Sequence, residues 1–244
     1  MENRIPHIIH FCWFGKNDIP PVGLKCLESW REKLPDYKII RWDESNFDIN
    51  SCGFTQKAYN ERKYAFVSDY VRLKALYEYG GVYLDIDELV LKDFSDLLND
   101  REIVACFETN SSVMMGLLCA KAGSELIANF IKVYDAWDKE YYAANPEIFT
   151  KLLLERGLKL NGKEQTLNNG SIIIYPNEYF CCYDFNVYKD CSNEKSYAKQ
   201  LYAGTWTHGR SSMSKTMHEL LAKIVGEKNY LSLKKIKKKM FKIV

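Results

Sequence analysis

Residues 66–87 read FVSDYVRLKALYEYGGVYLDID: an apolar spacing of helical period, a pair of glycines, and an alternating run that closes on two aspartates. Phe66, Tyr70, Leu73 and Tyr77 recur at i, i+4, i+7 and i+11, which predicts a helix from Ala58 to Tyr79 with that face turned inward. Gly80 and Gly81 supply its left-handed stop. Asp69 and Arg72 are three apart and share one face of the helix, one turn from each other. Beyond the glycines, VYLDID predicts a strand whose alternation puts Val82, Leu84 and Ile86 on one side and Tyr83, Asp85 and Asp87 on the other.

Working outward, IPHIIHFCWFG predicts a buried strand from Ile5 to Trp13, stopped by glycine. Leu24, Leu27 and Leu34 mark a helix that Pro35 ends, and YKIIRW a second strand, Tyr37 to Trp42. Strand, helix, strand in this short span is a parallel unit. Downstream, EIVACF and SVMMGLLCA predict two strands, SELIANFIKVYDAW and PEIFTKLLLERG two helices, and SIIIYP a late strand. From Asn177 to Ser214 regular patterning is lost while aromatic residues stay dense, as in binding loops. No repeat or linker interrupts the chain, so one domain is expected over residues 1–226 and a tail over 227–244.

Composition narrows the function classes. A chain of 244 residues with 27% charged and 14% aromatic residues is not disordered. Its net charge of +2 is uneven: residues 227–244 hold seven lysines and one glutamate, so residues 1–226 carry −4. A mildly acidic body argues against nucleic acid as a partner. In the tail, Leu233, Ile236, Met240 and Ile243 follow helical spacing among the lysines, a basic amphipathic helix suited to an anionic membrane surface. No run of 18 apolar residues marks a membrane span. Eight cysteines without a CxxC spacing or a signal peptide predict reduced thiols and a cytoplasmic setting, with Cys12, Cys106 and Cys119 acting as small hydrophobes.

Two carboxylates at i and i+2, at the carboxyl end of a parallel strand, stand where open α/β sheets bind ligands. Hard divalent cations commonly take one or two carboxylates and complete their shell with water and substrate phosphates. A phosphate-bearing substrate is the first inference. Taken alone, a D-x-D string equally marks a surface turn, and Asp69 with Arg72 a surface ion pair of small energy. The helix and buried strand that precede Asp85 set this motif apart from a turn.

Three stretches, IPHIIHFCWFG, FVSDYVRLKALYEYGGVYLDID and IIIYPNEYF, together resemble glycosyltransferase family 32, the DXD-containing sugar transferases of bacterial capsule and surface polysaccharide. The glucosyltransferase domains of large clostridial toxins are similar at a greater distance. The resemblance runs from about residue 4 to 210. It implies a GT-A fold, an α/β Rossmann-like mixed sheet flanked by helices, here with a C-terminal basic amphipathic helix. It also implies a nucleotide-diphosphate sugar donor, Mn²⁺ or Mg²⁺, and retention of anomeric configuration.

Carried over by position, Trp13 would stack on the nucleobase, and Asp69 and Arg72 would hold the donor sugar and its diphosphate. Tyr83 would sit by the donor, Asp85 would contact ribose, sugar or metal, and Asp87 would bind the metal. An indole offers a flat apolar face and arginine a planar fork for phosphate oxygens. With Arg72 and the metal offsetting charge on the leaving group, Asp85, Asp87 and Arg72 are the candidate catalytic residues. The segment YAGTWTHGRSSMS, with Trp206, Ser211 and Ser212, departs from the His-rich stretch and Ser-Trp of relatives. Its His208 is a candidate further metal ligand, alongside the reading of an exposed loop histidine. His7 and His10 read as structural, Asp43 as a nucleotide contact or a turn cap, and Glu88 as solvated.

The expected function is transfer of a sugar, from a UDP-sugar by preference, to a lipid-linked saccharide acceptor in bacterial surface polysaccharide synthesis. The expected location is peripheral, on the inner face of the cell membrane. Two other readings compete: a non-enzymatic membrane-surface binding protein, and an aspartate-dependent phosphatase. The second normally has Thr or Val where Leu89 stands, and a later Gly-Asp-x-x-x-Asp that this chain lacks.

Overall fold

The computed structural model describes residues 4–138, 140–184 and 189–203, with Ile224 and Gly226. His208, Trp206, Ser211, Ser212 and the basic tail lie outside these residues. The chain opens with β1 (Ile8–Cys12), α1 (Pro21–Lys33) and β2 (Lys38–Trp42), the parallel unit expected, with the first strand shorter at both ends. It continues through α2 (Gly53–Asn60), α3 (Tyr64–Tyr79), β3 (Gly81–Leu84) and β4 (Glu88–Val90). Next come β5 (Ile103–Thr109), β6 (Ser112–Val113), β7 (Leu117–Ala120), α4 (Glu125–Asp135) and α5 (Asn145–Leu154). The described chain closes with β8 (Gln165–Leu167), β9 (Ile172–Tyr175), α6 (Asn177–Phe180), β10 (Tyr183–Asp184), β11 (Lys189–Asp190) and β12 (Ala198–Gln200).

The central sheet has the order β2-β1-β3-β7-β5-β9-β8, with β6 bonded to β5. β2, β1 and β3 run parallel, β7 lies antiparallel between β3 and β5, and β9 is parallel to β5. Strand alternation sorts side chains into two cores. Ile103, Ala105 and Phe107 of β5 join Val67 and Leu73 of α3, Ile127 of α4 and Phe149 of α5. Val104 and Cys106 join Cys26, Leu27 and Trp30 of α1 on the opposite face. The result is the helix-flanked mixed sheet that the sequence implied, and all eight cysteines are free thiols.

Four differences from the sequence reading bear on the site. The helix expected from Ala58 to Tyr79 is two, because Arg62 takes a left-handed φ of 57° and turns the chain between α2 and α3. The apolar stripe is broader than Phe66, Tyr70, Leu73 and Tyr77: Tyr77 is 37% exposed, whereas Val67, Val71, Ala75 and Leu76 are sealed. α3 is wedged between the sheet and the helices α2 and α4, so most of its circumference is inside. SVMMGLLCA is not one strand, since residues 114–116 leave the sheet between β6 and β7. Within the stretch read as irregular, β12 pairs antiparallel with β4, matching Gln200 to Glu88.

Candidate functional site

The site forms at the carboxyl end of β3, where α3, the break between β6 and β7, and β12 meet. Gly80 (φ 65°) and Gly81 (φ 112°) turn α3 directly into β3. A Cβ on Gly81 would overlap the carbonyl oxygen of Ile8, so only glycine lets β3 lie against β1 at this point. That tight turn brings Asp69 and Arg72 over Tyr83 and Asp85.

Arg72, 4% exposed, is the hub. Its Nη2 donates to Asp69 Oδ1 at 3.0 Å and pairs with Asp85 Oδ1 at 3.3 Å. Nη1 donates to the carbonyl of Met115 at 2.5 Å and Nε to that of Ser68 at 3.3 Å. The guanidinium lies over the Tyr83 ring, 4.3 Å from its centroid, and the Tyr83 hydroxyl donates to Asp85 Oδ1 at 3.0 Å. Burial opposes the arginine charge, but Asp85, Tyr83 and Asp69 outweigh it and hold Arg72 fully protonated. The guanidinium therefore organises the carboxylates around it, with all three of its nitrogens engaged within the chain.

Asp69 is also buried, and its Oδ1 accepts a second hydrogen bond, from Asn145 Nδ2 at 2.7 Å. Burial, reinforced by Asp85, pushes its carboxyl up to about 7 against the pull of Arg72 and Asn145. β3 stops at Leu84, and the Glu88 N–H donates to the Asp85 carbonyl at 2.9 Å, closing a turn over Asp85–Glu88. Strand alternation thus does not carry through to Asp87, which corrects the expectation that Tyr83, Asp85 and Asp87 point one way because all three lie on one strand. Asp87 is instead held from β12 and the residues after it. Its Oδ1 accepts from Gln200 Nε2 and its Oδ2 from the Ala203 N–H, both at 2.8 Å. Burial and then Asp85 raise the Asp87 carboxyl to about 6.

Glu88 was expected to be solvated and is fully buried, with neither carboxyl oxygen hydrogen-bonded among the described residues. Burial, then Asp87 and Asp85, raise its carboxyl well above the usual range, so it sits protonated beneath the turn. Trp13 follows β1, the neighbour of β3, and makes no hydrogen bond to the Arg72 hub. Its indole N–H donates to the Asn17 carbonyl at 2.7 Å. Glu44 pins this loop by accepting from the Gly15 N–H at 2.7 Å and the Tyr59 hydroxyl at 2.9 Å. Asp43 caps a turn through Ser45. His10 is structural, as read: Nδ1 accepts from Trp42 Nε1 at 3.1 Å, so Nε2 donates to the Gly80 carbonyl at 2.9 Å, and burial lowers its pKa. His7 is only half-buried and stacks on Tyr37.

Asn145, Gly116, Gln200 and Ala203 were not singled out from the sequence, and they decide what the turn can hold. Gly116 accepts from the Asp85 N–H at 2.7 Å. A Cβ built on Gly116 would stand 3.0 Å from Gln200 Oε1 and 3.1 Å from Asp85 Oδ2. Gln200 Oε1 is sealed from solvent and has no hydrogen-bond partner among the described residues. The missing side chain thus leaves an amide oxygen and a carboxylate oxygen facing one cradle beside Asp87. Among the described residues no three His, Cys, Asp or Glu side chains are placed to cage a metal. An oxygen set of this kind fits Mg²⁺ or Mn²⁺, which take few protein ligands and keep positions for water and phosphate.

Residues 20–104 match a family model described as a glycosyltransferase sugar-binding region containing a DXD motif. Over 185 residues the chain is 28% identical to "Subversion of eukaryotic traffic protein A" of Legionella pneumophila, covering 61% of this chain and 27% of that protein. Among solved structures, it superposes on the PaToxG glycosyltransferase with a TM-score of 0.53 at 21% identity, covering 62% of this chain and 70% of that one. It superposes on a glycosyltransferase involved in glycosylating the major capsid of PBCV-1 with a TM-score of 0.52 at 11% identity, covering 88% and 100%. The chain spans less than a third of the length of the curated relatives it matches. The glycosyltransferase resemblance read from the motifs is therefore found again by the family model, and the fold is the GT-A fold of glycosyltransferases.

Proposed function

We infer that a chain with this sugar-binding region and this fold transfers a sugar from a nucleotide-diphosphate sugar to a saccharide acceptor, with Mn²⁺ or Mg²⁺ bound at the Asp85–Asp87 turn. The observation that carries this reading is the cradle at Gly116, where Asp85 Oδ2 and the unpartnered Gln200 Oε1 converge beside a doubly held Asp87. Asp85, Asp87 and Gln200 would hold the cation, which when bound offsets negative charge on the diphosphate as it leaves.

Every other role falls to the chain itself. Arg72 keeps Asp69 and Asp85 oriented and contributes fixed positive charge behind them, pre-arranged before the sugar–phosphate bond breaks. Trp13, half-buried with its N–H satisfied by Asn17, is the residue we propose to stack on a nucleobase, for which we propose uracil. For a retained configuration we propose that the acceptor attacks from the face the diphosphate leaves, and that a departing phosphate oxygen takes the acceptor proton. The acceptor we propose is a lipid-linked saccharide of bacterial surface polysaccharide synthesis, reached at the inner face of the cell membrane through the lysine-rich residues 227–244. This part rests on the family resemblance and on the tail's charge pattern.

The test is a screen of nucleotide sugars for Mn²⁺-dependent hydrolysis, run on the wild-type chain and on Asp87→Ala. Turnover of one sugar nucleotide, stopped by EDTA and by the substitution, is the result expected. Absence of nucleotide binding with Mn²⁺ or Mg²⁺, or hydrolysis indifferent to Asp87→Ala, overturns the reading.

A further inference from the structure

Of the eight cysteines only Cys191 is not buried. It directly follows β11, as Cys182 directly precedes β10. The register of these strands sets Tyr183 opposite Asp190 and Asp184 opposite Lys189, which makes Cys182 and Cys191 the next pair outward. The Cys191 N–H donates to the Cys182 carbonyl at 3.0 Å, so the antiparallel pairing extends to them. Residues facing each other across such a bond have Cα atoms about 5.5 Å apart, inside the range of about 4.4–6.8 Å that a disulfide spans. Both thiols turn toward the start of α6: Cys191 Sγ donates to Asn177 Oδ1 at 3.4 Å, and Cys182 Sγ lies 3.1 Å from the Glu178 carbonyl oxygen. The adjacent Cys181 is engaged elsewhere, its Sγ 3.1 Å from the Tyr202 hydroxyl.

An accessible thiol with a sealed one facing it is the layout in which the first meets an oxidant and the second resolves the product. We propose that Cys182 and Cys191 are a redox modification site, which a peroxide closes into a disulfide, and that closure loosens β12. The Cys191 sulfur takes one oxygen of the peroxide as the O–O bond breaks, giving a sulfenic acid and one water. The Cys182 sulfur then attacks the Cys191 sulfur; the S–O bond breaks, and the departing hydroxide takes the Cys182 proton as a second water. The two sulfurs together give up two electrons, and the peroxide is reduced. Burial pushes the Cys182 thiol up to about 12 and raises that of Cys191, so both are protonated at neutral pH and the pair closes slowly, under sustained peroxide.

The link to β12 is direct. Cys182 Sγ also lies 3.1 Å from the Ala198 carbonyl oxygen, and the Gln200 N–H donates to the Cys181 carbonyl at 3.1 Å. A bridge removes the S–H proton and turns the sulfur toward Cys191, so β12 loses a donor two residues before the side chain that holds Asp87.

The test treats the full chain, reduced and then freed of reductant, with hydrogen peroxide, blocks the remaining thiols with iodoacetamide and maps tryptic peptides by mass. Trypsin cleaves after Lys189, so a bridge joins two peptides. The joined pair is expected from wild type and from Cys181→Ser, is released by dithiothreitol, and is absent from Cys182→Ser and Cys191→Ser. Amide hydrogen exchange of the peptide carrying β12 is expected to quicken about tenfold in the oxidised wild type. In Cys191→Ser it matches reduced wild type before and after peroxide, which also shows that this variant has folded. Oxidation of Cys191 that stops at the sulfenic or sulfinic acid, a bridge made by Cys181 instead, or a Cys182–Cys191 bridge that leaves β12 exchange unchanged overturns the proposal. None of these readouts depends on sugar transfer, so the proposed function stands or falls separately.

Discussion

Gln200 reaches across from β12 to place its Nε2 2.8 Å from Asp87 Oδ1, joining two residues 113 positions apart in the chain. The contact explains how a turn aspartate, freed from the strand that precedes it, still has one orientation. Replacing Gln200 with Ala removes the donor and the sealed Oε1 together. The affinity for Mn²⁺, followed as free ion by electron paramagnetic resonance, is expected to fall at least tenfold. Gln200→Glu, which restores an oxygen and removes the donor, recovers part of it.

Gly116→Ala is expected to inactivate while preserving the fold. The added Cβ stands 3.0–3.1 Å from Gln200 Oε1, Met114 Cε and Asp85 Oδ2, a crowding that side chains relieve by moving a few tenths of an ångström. Those small shifts fall on the cradle. Turnover of the donor should drop tenfold or more while the thermal midpoint moves by only a few degrees.

Arg72→Ala is expected to destabilise strongly, because it removes the one guanidinium shared by Asp69, Asp85 and the carbonyls of Met115 and Ser68 and leaves those acceptors without that donor. Breaking a buried pair from one side costs about 3–5 kcal/mol. Urea unfolding reads this directly. Arg72→Lys should recover only part, since a single ammonium cannot serve Asp69, Asp85, Met115 and Ser68 in the plane that the guanidinium spans.

Glu88 gives a signed pH prediction. Its folded carboxyl titrates well above the ordinary value of 4.5, so between the two the folded chain holds a proton that the unfolded chain has released. The contribution is fully present below about pH 4.5 and is lost as pH rises, with a slope of about 1.4 kcal/mol per pH unit for one proton. Glu88→Gln removes that slope. Urea midpoints measured in EDTA should therefore show the variant gaining on wild type as pH rises above 4.5.

The local half of this site was legible because it is written in adjacent turns. The i, i+3 spacing of Asp69 and Arg72, the two glycines, and the alternation of Tyr83 with Asp85 needed only helix and strand periods to be read together. Asn145, Met115, Gly116 and Gln200 come from segments whose own patterns say helix start, strand or loop. Their roles arise from a sheet order, β3 beside β7 and β12 beside β4, that no local period encodes. Asp87 and Glu88 were read in the wrong surroundings for one reason: alternation describes a strand, and β3 ends one residue before Asp85. The continuous helix from Ala58 failed in the same way, since nothing in the residue type of Arg62 announces a left-handed turn.

The break between β6 and β7 has a consequence for which substitutions the chain can absorb. Met115 and Gly116 serve the site through their carbonyl oxygens, one receiving Arg72 and the other the Asp85 N–H. A main-chain contact is indifferent to the side chain attached to it. Position 115 is thus free to vary among apolar residues that fill the same core volume, and position 116 is restricted only by the space its missing Cβ leaves. At this end of the central strands the polar machinery is inherited from the path of the backbone, so sequence can drift at residue 115 without the site registering the change.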